Sequence, residues 1–322
     1  MKMAITGGGG FLGRRLARAL LADSRVERLV LADLAPAQSP VDDPRLALLT
    51  TDLSEAGAAE SIVEGADVIF HLAAILSGQA EAEFDLGMRV NLDGTRRLLE
   101  AARAGGRRPR FVFASSLAVF GAPLPPVVTD DTAARPQSSY GAEKAMGELL
   151  AAEFSRRGFV DSRILRLPTV CVRPGRPNAA ASSFVSGIIR EPLHGEKAVC
   201  PVGPELALWL SSPRSVVANL VHGASLSAEA LGADRTINLP GITVTVGEMI
   251  ASLARVAGRE APARIEFSGD PAVRRIVSSW PSRFDVRRAL ALGFSGDLEF
   301  EALIREFLAD EAAEKGVSQG SR

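Results

Sequence analysis

The sequence predicts an α/β protein: a doubly wound parallel sheet followed by a smaller C-terminal lobe. Short apolar runs alternate with longer segments of helical periodicity, which is the pattern of repeated strand–helix–strand units. The runs are continuously apolar, as expected for parallel strands that are buried on both faces. The length of 322 residues is enough for about two lobes.

Six strands of the main sheet are predicted in the first half of the chain. They span residues 2–6, 28–33, 45–50, 67–72, 110–115 and 162–167. Helices are predicted between them, with apolar residues at helical spacing, over residues 10–22, 55–64, 81–104 and 139–157. The helix over 81–104 is expected to stop at Gly105 and Gly106, because glycine commonly follows the last turn of a helix.

Beyond Pro168 the alternation gives way to segments punctuated by proline and glycine, which predicts the second lobe. Helices are expected there over residues 183–190, 213–225, 246–257 and 298–309, and the apolar run 236–239 is expected to return to the main sheet as a seventh strand. We therefore assign residues 1–168 and about 212–241 to the first lobe, and residues 169–211 and 242–311 to the second. Residues 312–322 are small and polar, and we expect a flexible tail there.

Composition excludes several classes of protein and site. The 37 basic and 38 acidic residues are interleaved, so the chain lacks the basic field that nucleic acid binding requires. There is no uncharged apolar stretch of about 18 residues, and the glycine-rich N-terminus does not fit a signal peptide. Cys171 and Cys200 belong to no disulfide or metal-binding pattern, so we expect no metal, no membrane and a reducing, cytoplasmic compartment.

A glycine-rich turn stands between the first strand and the first helix. Its sequence, TGGGGFLG over residues 6–13, has the GxxGxxG spacing that allows a tight turn, close approach of a pyrophosphate and packing of helix on strand. Because the turn lies between a strand and a helix, it predicts a Rossmann-type dinucleotide site. The residues expected to bind the cofactor there are Gly7, Gly10, Phe11, Leu12 and Gly13.

Asp33 ends the second strand, 20 residues after Gly13, where a carboxylate accepts hydrogen bonds from the adenosine ribose. A 2′-phosphate would meet a like charge at this position, which favours NAD over NADP. Arg14 and Arg15 follow the turn and could compensate a phosphate, but a solvated helix face is the simpler interpretation of both.

The only tyrosine of the chain, Tyr140, lies four residues before Lys144, one of 4 lysines in a chain with 33 arginines. On the predicted helix this spacing places both side chains on one face. Tyrosine is a poor base at neutral pH until a nearby positive charge stabilises the phenolate, so we interpret Tyr140 as a base and Lys144 as the group that lowers its pKa. Ser115 and Ser116 end the fifth strand at the carboxyl edge of the sheet, where one hydroxyl could hold the substrate oxygen.

Five segments occur in an order that is specific when taken together: TGGGGFLG, HLAA at 71–74, NLDGT at 91–95, ASSLAVFG at 114–121 and YGAEK at 140–144. With them the chain resembles the extended short-chain dehydrogenase/reductase family, also called the NAD-dependent epimerase/dehydratase family. The resemblance implies a catalytic triad of Ser116, Tyr140 and Lys144, of which Tyr140 and Lys144 also meet the cofactor. The further cofactor contacts that it implies are Asp52, Leu53, Ala73, Asn91 and Pro168. One departure is Phe120, where many members have a tyrosine outside the triad.

Four further segments narrow the resemblance: FDLG at 84–87, RLPTVCVRPG at 166–175, PNAAASSF at 177–184 and SPR at 212–214. They resemble the members of this family that oxidise the C2 hydroxyl of D-erythronate, a small sugar acid, to 2-oxo-tetronate. A guanidinium matches a carboxylate bidentately, so Arg173, Arg176 and Arg214 are candidates for binding the substrate carboxylate. The candidate contacts for the rest of the substrate are Ser77, Asn178 and Ser182, together with Ser116 and Tyr140.

The expected function is therefore the NAD-dependent oxidation of a small sugar acid. Two alternatives stay open: a nucleotide-sugar 4-epimerase of the same family, and an inactive NAD-sensing or scaffold protein. The complete triad argues against the inactive protein, and Leu117 and Ala118 stand where a dehydratase needs acidic residues. The resemblance also implies a homodimer that forms through two long helices on one face of the sheet.

Overall fold

The computed structural model describes residues 1–319, with side chains described through Ala313. Twelve strands form three sheets within these residues. They are β1 (Lys2–Thr6), β2 (Arg28–Asp33), β3 (Leu46–Thr50), β4 (Val68–His71), β5 (Arg110–Ser116), β6 (Asp161–Leu167), β7 (Thr169–Val170), β8 (Ala198–Cys200), β9 (Ala207–Ser211), β10 (Thr236–Asn238), β11 (Ile242–Thr245) and β12 (Ile265–Phe267).

The largest sheet has seven parallel strands in the order β3-β2-β1-β4-β5-β6-β10. Strands β1 to β3 extend the sheet towards one edge, and β4, β5, β6 and β10 extend it towards the other, so the strand order switches between β1 and β4. Ligands of such sheets bind outside the carboxyl ends of the strands at this switch point. The doubly wound parallel sheet is thus confirmed. So is the returning seventh strand, since β10 pairs with β6.

Thirteen α-helices lie within the described residues. They are α1 (Phe11–Leu21), α2 (Ala58–Val63), α3 (Ser77–Ala82), α4 (Phe84–Gly87), α5 (Gly94–Ala104), α6 (Ser139–Arg156), α7 (Ser183–Leu193), α8 (Pro213–Ser225), α9 (Ala228–Leu231), α10 (Val246–Ala257), α11 (Pro271–Val277), α12 (Arg287–Ala291) and α13 (Phe300–Gln319). None of them is both long and apolar enough to cross a membrane.

Helices cover both faces of the seven-stranded sheet. On one face α1 and α8 bury a core that includes Leu16 and Leu220. On the other face α2, α5 and α6 bury a core that includes Ile62, Leu98 and Ala151. Both faces of the central strands are therefore out of water, which is why these strands are continuously apolar in sequence.

The C-terminal lobe has a core of its own, built from α7, α10, α13 and the short strands β9 and β11. Its helices follow the predicted segments, but its strands of two to five residues were missed, because such short runs show no clear periodicity. The boundaries that we assign to the two lobes stay a prediction.

The predicted helix over 81–104 is divided in the structure. Glu83, with φ −127° and ψ 68°, separates α3 from α4, and a π-helical turn over Met88–Asp93 precedes α5. Apolar periodicity does not reveal a single inserted residue, which is what a π-turn amounts to. Helix α13 continues through Gln319 into the segment 312–322, and residues 320–322 lie outside the described residues, so the flexible tail expected there stays a prediction.

Candidate active site

A cleft of about 740 Å³ opens at the carboxyl ends of the central strands and is closed on one side by the C-terminal lobe. Most residues that the sequence predicts for the site line this cleft. They are Gly7, Gly10, Phe11, Leu12, Gly13, Asp33, Asp52, Leu53, Ala73, Ser77, Ser116, Tyr140, Lys144, Pro168, Arg173, Asn178 and Ser182. Three predicted residues do not line it: Asn91, Arg176 and Arg214.

The glycine turn leaves no room for side chains. Gly7 has φ +67°, and a Cβ there would lie 2.8 Å from the backbone nitrogen of Ala73. A Cβ at Gly13 would collide with the carbonyl oxygen of Gly7. Gly10 begins α1 without a side-chain cap, so the N–H groups of the first turn stay available to an anion. This cradle fits the pyrophosphate of a dinucleotide.

Asp33 lies at the end of β2 in the cleft wall. Its Oδ2 accepts a hydrogen bond from the N–H of Gly9 at 3.0 Å, which ties the carboxylate to the glycine turn. The next residue is Leu34, which offers a phosphate no charge, and Arg15 is occupied by an ion pair of 2.7 Å with Asp310. A carboxylate with no described arginine beside it fits the 2′-hydroxyl of NAD better than a 2′-phosphate.

Asp52 and Leu53 extend the same wall beyond β3. Asp52 accepts a hydrogen bond from the N–H of Ser54 at 2.7 Å, which lowers the pKa of its carboxyl. The carbonyl of Leu53 accepts from Arg97 at 3.1 Å. These contacts hold this part of the wall in place, and its expected role beside the adenine stays a prediction.

Asn91 does not face the cleft. Its side chain is buried in the π-helical turn, where it accepts from the N–H of Ile75 at 2.7 Å and donates to the carbonyl of Ile75 at 3.0 Å. It also donates to Oε2 of Glu143 at 2.5 Å. In the structure Asn91 is therefore a support for the cleft loop after β4, and its expected contact with the cofactor stays a prediction.

Helix α6 brings Tyr140 and Lys144 to the end of β5. Ser138 caps the helix by accepting from the N–H of Gly141 at 3.2 Å. Any side chain at Gly141 would collide with the carbonyl of Ala118, so glycine permits the helix to begin directly beside the serine-bearing strand end. Tyr140 and Lys144 thus come together with Ser116, as the sequence predicts.

Lys144 is buried beneath the tyrosine. Its Nζ donates to the carbonyl of Ala114 at 3.0 Å and lies 4.8 Å from the ring centre of Phe113 and 5.7 Å from that of Tyr140. The hydrogen bond to Ala114 therefore holds the ammonium of Lys144 at the end of β5.

Burial dominates the acid–base properties of this group. It raises the pKa of Tyr140 to about 12, against the hydrogen bond with Ser116 and the positive charge of Arg173. It lowers the pKa of Lys144 to about 8, against the carboxylates of Glu143 and Glu148. Arg173 is thus a second cation that lowers the pKa of Tyr140, and the expected effect of Lys144 on the same phenol stays a prediction.

The loop after β7 forms the end of the cleft near Tyr140, where the substrate is expected. Arg173 lies there, and burial lowers the pKa of its guanidinium. Its Nη2 lies 3.5 Å from Oδ1 of Asn178. The hydroxyl of Ser77 accepts from the N–H of Ala181 at 3.0 Å, so α3 holds this loop against the first lobe. Arg173, Asn178, Ser182 and Ser77 are thereby brought together near Tyr140.

The other two arginines are elsewhere. Arg176 is exposed and does not line the cleft. Arg214 lies at the start of α8, with its Nε 3.5 Å from Glu306 and its side chain 69% exposed. The sequence alone could not separate these two arginines from Arg173, because each of the three lies next to a proline in the same half of the chain.

Gln79 and Trp280 also line the cleft and were not predicted. Gln79 could have been predicted as a cleft residue from the sequence, since it lies two residues after Ser77 at the edge of the sheet. Trp280 comes from the turn after α11, and no local pattern connects it with the triad. Among the residues that the structure describes, no cluster of acidic, histidine or cysteine side chains could hold a metal ion.

Comparisons with known proteins agree with this geometry. The sequence profile of the NAD dependent epimerase/dehydratase family matches residues 3–211. The D-erythronate dehydrogenase of Cupriavidus necator is 52% identical over 98% of this chain and 100% of that protein. That of Haemophilus influenzae is 51% identical over 96% of this chain and 99% of that protein.

Among solved structures, the nucleoside-diphosphate-sugar epimerase from Agrobacterium tumefaciens is similar, with a TM-score of 0.91 and 44% identity over 97% of this chain and 95% of that one. The resemblance drawn from the sequence motifs is thus confirmed by the match of the family profile and by relatives along almost the whole chain. The glycine cradle and Asp33 fit the cofactor for which the family is named. This chain belongs to the NAD dependent epimerase/dehydratase family.

Proposed function

We propose that this protein is an NAD-dependent dehydrogenase that oxidises the C2 hydroxyl of D-erythronate to 2-oxo-tetronate. The observation that carries the proposal is the position of Arg173. Its guanidinium lies in the cleft close enough to Tyr140 to lower the pKa of the phenol, and the side-chain acceptor that it reaches among the described residues is the neutral Asn178. A substrate carboxylate supplies the missing negative charge.

The closeness of Arg173 to Tyr140 suits a 2-hydroxy acid in particular. In such a substrate the carboxylate is bonded directly to C2, so the group that binds the carboxylate and the base that meets the C2 hydroxyl must be neighbours. Asn178, Ser182 and Ser77 line the remaining part of this end and offer hydrogen bonds to the hydroxyls at C3 and C4. The name that the Cupriavidus and Haemophilus relatives carry supports the same substrate.

The residues divide the reaction between them. Ser116 holds the C2 hydroxyl, and Tyr140 takes its proton as the carbon–oxygen double bond forms. NAD, when bound, accepts the hydride that leaves C2. Lys144 supports the phenolate with its charge and holds the nicotinamide ribose, while Arg173 keeps the carboxylate fixed so that C2 stays opposite Tyr140.

A nucleotide-sugar 4-epimerase is the second candidate, because the similar Agrobacterium structure carries an epimerase name. An epimerase returns the hydride to its substrate, so NADH does not accumulate during turnover. A dehydrogenase forms one NADH for each substrate oxidised. The inactive NAD-sensing protein is the remaining alternative, and the assembled triad argues against it.

The experiment is NADH formation with a panel of D-erythronate, L-erythronate, D-threonate, D-glycerate and a nucleotide sugar. We expect stoichiometric NADH with D-erythronate, and D-erythronate deuterated at C2 should transfer its label to NADH. Interconversion of the nucleotide sugar without net NADH would instead establish the epimerase. NAD binding without turnover of any panel member would favour the inactive protein.

We also propose a homodimer in a reducing cytoplasm. Helices α5 and α6 lie side by side on one face of the sheet, and Leu149 in the middle of α6 is 73% exposed, as an interface residue would be in an isolated chain. Cys171 and Cys200 are both buried free thiols. Sedimentation of the purified protein tests the dimer, and a monomer at micromolar concentration would contradict it.

A further inference from the structure

The main chain of Arg173 is held from both sides by helix α7. The Oγ of Ser186 accepts a hydrogen bond from the N–H of Arg173 at 3.0 Å, and Nη1 of Arg190 donates to the carbonyl of Arg173 at 2.8 Å. Ser186 and Arg190 are four residues apart, so they share one face of the helix. Both are buried, with 2% and 4% of their surface exposed.

This arrangement is costly for the core that surrounds it. Arg190 lies on a helix whose neighbouring residues Val185, Ile188 and Ile189 are fully buried. Nη2 of Arg190 pairs with Oε1 of Glu191 at 2.5 Å, and Oε2 of Glu191 is buried without a hydrogen-bond partner among the described side chains. A well-packed apolar residue is commonly as stabilising as such a buried pair, or more so. Stability of the core therefore does not account for Arg190.

Substrate recognition does account for it. The segment between β7 and α7 has no regular structure, and the guanidinium of Arg173 has one described side-chain contact, at 3.5 Å. The direction of this long side chain then depends on the position of its main chain, which Arg190 and Ser186 hold in place. Arg173 and Arg190 together carry two positive charges beside the single carboxylate of Glu191, and the excess charge favours an anionic substrate.

We propose that Arg190, supported by Glu191, is a positioning residue for the substrate carboxylate. It acts through the main chain of Arg173 and sets the distance between the guanidinium of Arg173 and the phenol of Tyr140. The inference rests on the proposed function, because it requires that Arg173 binds a carboxylate.

The test compares Arg190→Met, Arg173→Met and the double variant in steady-state kinetics with D-erythronate. We expect Arg173→Met to raise the KM for D-erythronate by about a hundredfold or more. Arg190→Met should raise it roughly 10- to 100-fold, as misplacement of a binding group does, while the KM for NAD stays near that of the wild type. In the double variant, loss of Arg190 should add little, because the group that it positions is gone.

Arg163 supplies a matched control. It is a fully buried arginine that pairs with Asp161 at 2.7 Å and donates to the carbonyls of Gly223 and Leu226, away from the cleft. Arg163→Met should lower the melting temperature and leave the KM for D-erythronate unchanged. Arg190→Lys should restore part of the wild-type KM, since an ammonium can reach the carbonyl of Arg173 but cannot also pair with Glu191 through a fork.

The outcomes distinguish a failure of the positioning role of Arg190 from a failure of the proposed function. If Arg173→Met leaves the KM unchanged, the proposed carboxylate contact fails. The positioning role fails, and the proposed function stands, in two cases in which Arg173→Met still raises the KM. In the first, Arg190→Met lowers the melting temperature and leaves the KM for D-erythronate unchanged. In the second, Arg190→Met raises the KM as much in the Arg173→Met background as it does alone. Should Arg190→Met not fold, Arg190→Lys and Ser186→Ala decide, and an unchanged KM in both overturns the inference.

Discussion

Burial raises the pKa of Tyr140 to about 12, which disfavours the phenolate that must take the substrate proton. Proton transfer to it therefore depends on the charges and donors that the fold places around it. Ser116 and Arg173 lower the pKa of the phenol, and Lys144 lies beneath its ring. The lone tyrosine of the sequence is thus activated by residues from β5, α6 and the loop after β7.

We expect Tyr140→Phe to lower kcat about 10²- to 10⁴-fold, since the variant keeps the ring and loses the group that takes the proton. NAD affinity should stay close to that of the wild type. Lys144→Met is the contrasting variant, because it should weaken NAD binding as well as turnover. Initial rates together with calorimetric NAD titration make the measurement, and more than a tenth of wild-type activity in Tyr140→Phe would rule out Tyr140 as the base.

Asp33 should determine the choice between the two dinucleotides. Asp33→Asn removes the negative charge that opposes a 2′-phosphate, and we expect the ratio of kcat/KM for NAD over that for NADP to fall by about tenfold, the effect of about 1.4 kcal/mol. Asp42→Asn, in the exposed segment before β3, is the control and should leave the ratio unchanged. An unchanged ratio in Asp33→Asn would mean that another contact selects NAD.

At the scale of elements, a buried ion pair holds α6 to the sheet below the triad. Arg166 of β6 donates to Oε1 and Oε2 of Glu148 at 2.9 and 2.7 Å, and Ser115 of β5 donates to the same carboxylate. Arg166 also stacks 4.7 Å from the ring centre of Phe120. Phe120 is itself fully buried against Val128 and Phe284. The side chain at this position, where many family members have a tyrosine, is therefore part of an apolar core in this protein.

We expect Glu148→Gln to lower the free energy of unfolding by roughly 3 kcal/mol, because it leaves the guanidinium of Arg166 without a counter-charge in a buried position. Glu153→Gln is a control on the same helix, where the pair with Arg156 is exposed and screened by solvent, so its loss should change the free energy of unfolding little. Urea denaturation measures both. If the two variants are equally mild, the pair does not anchor α6.

At the scale of the whole molecule, His71 joins three elements in the centre of the fold. Its Nδ1 lies 2.7 Å from the hydroxyl of Thr6 on β1, and its Nε2 lies 2.9 Å from that of Thr95 on α5. Burial lowers the pKa of this histidine from 6.5 to about 3, so the folded protein holds it neutral. The unfolded chain binds a proton there between those two pH values.

Stability should therefore fall as the pH drops from about 6.5 towards 3, with His71 contributing up to about 1.4 kcal/mol per pH unit. We expect His71→Gln to reduce the slope of unfolding free energy against pH in this window by about one proton. His194→Gln, at a partly exposed position, is the control. A slope that is the same in His71→Gln as in the wild type would contradict the assignment.

Much of the fold and part of the site could be predicted because they depend on neighbours in sequence. The strands of the main sheet were found from their apolar runs, and the glycine turn from its spacing before α1. The π-turn that carries Asn91 was missed, because an extra residue in a helix leaves the apolar pattern almost intact. The inward turn of Asn91 towards Ile75 and Glu143 was missed with it.

The strands of the main sheet, the dinucleotide cradle and the pairing of Tyr140 with Lys144 could be predicted from local sequence. Apolar runs predict the strands, and backbone geometry within one tight turn or one turn of helix sets the distances in the other two. Which of the 33 arginines reaches the substrate end of the cleft depends instead on the tertiary fold. Arg173 reaches the cleft while Arg214 pairs with Glu306, and Trp280 enters the cleft from the turn after α11. Those positions depend on how two separately packed cores meet across the cleft, and no local pattern of residues encodes that contact.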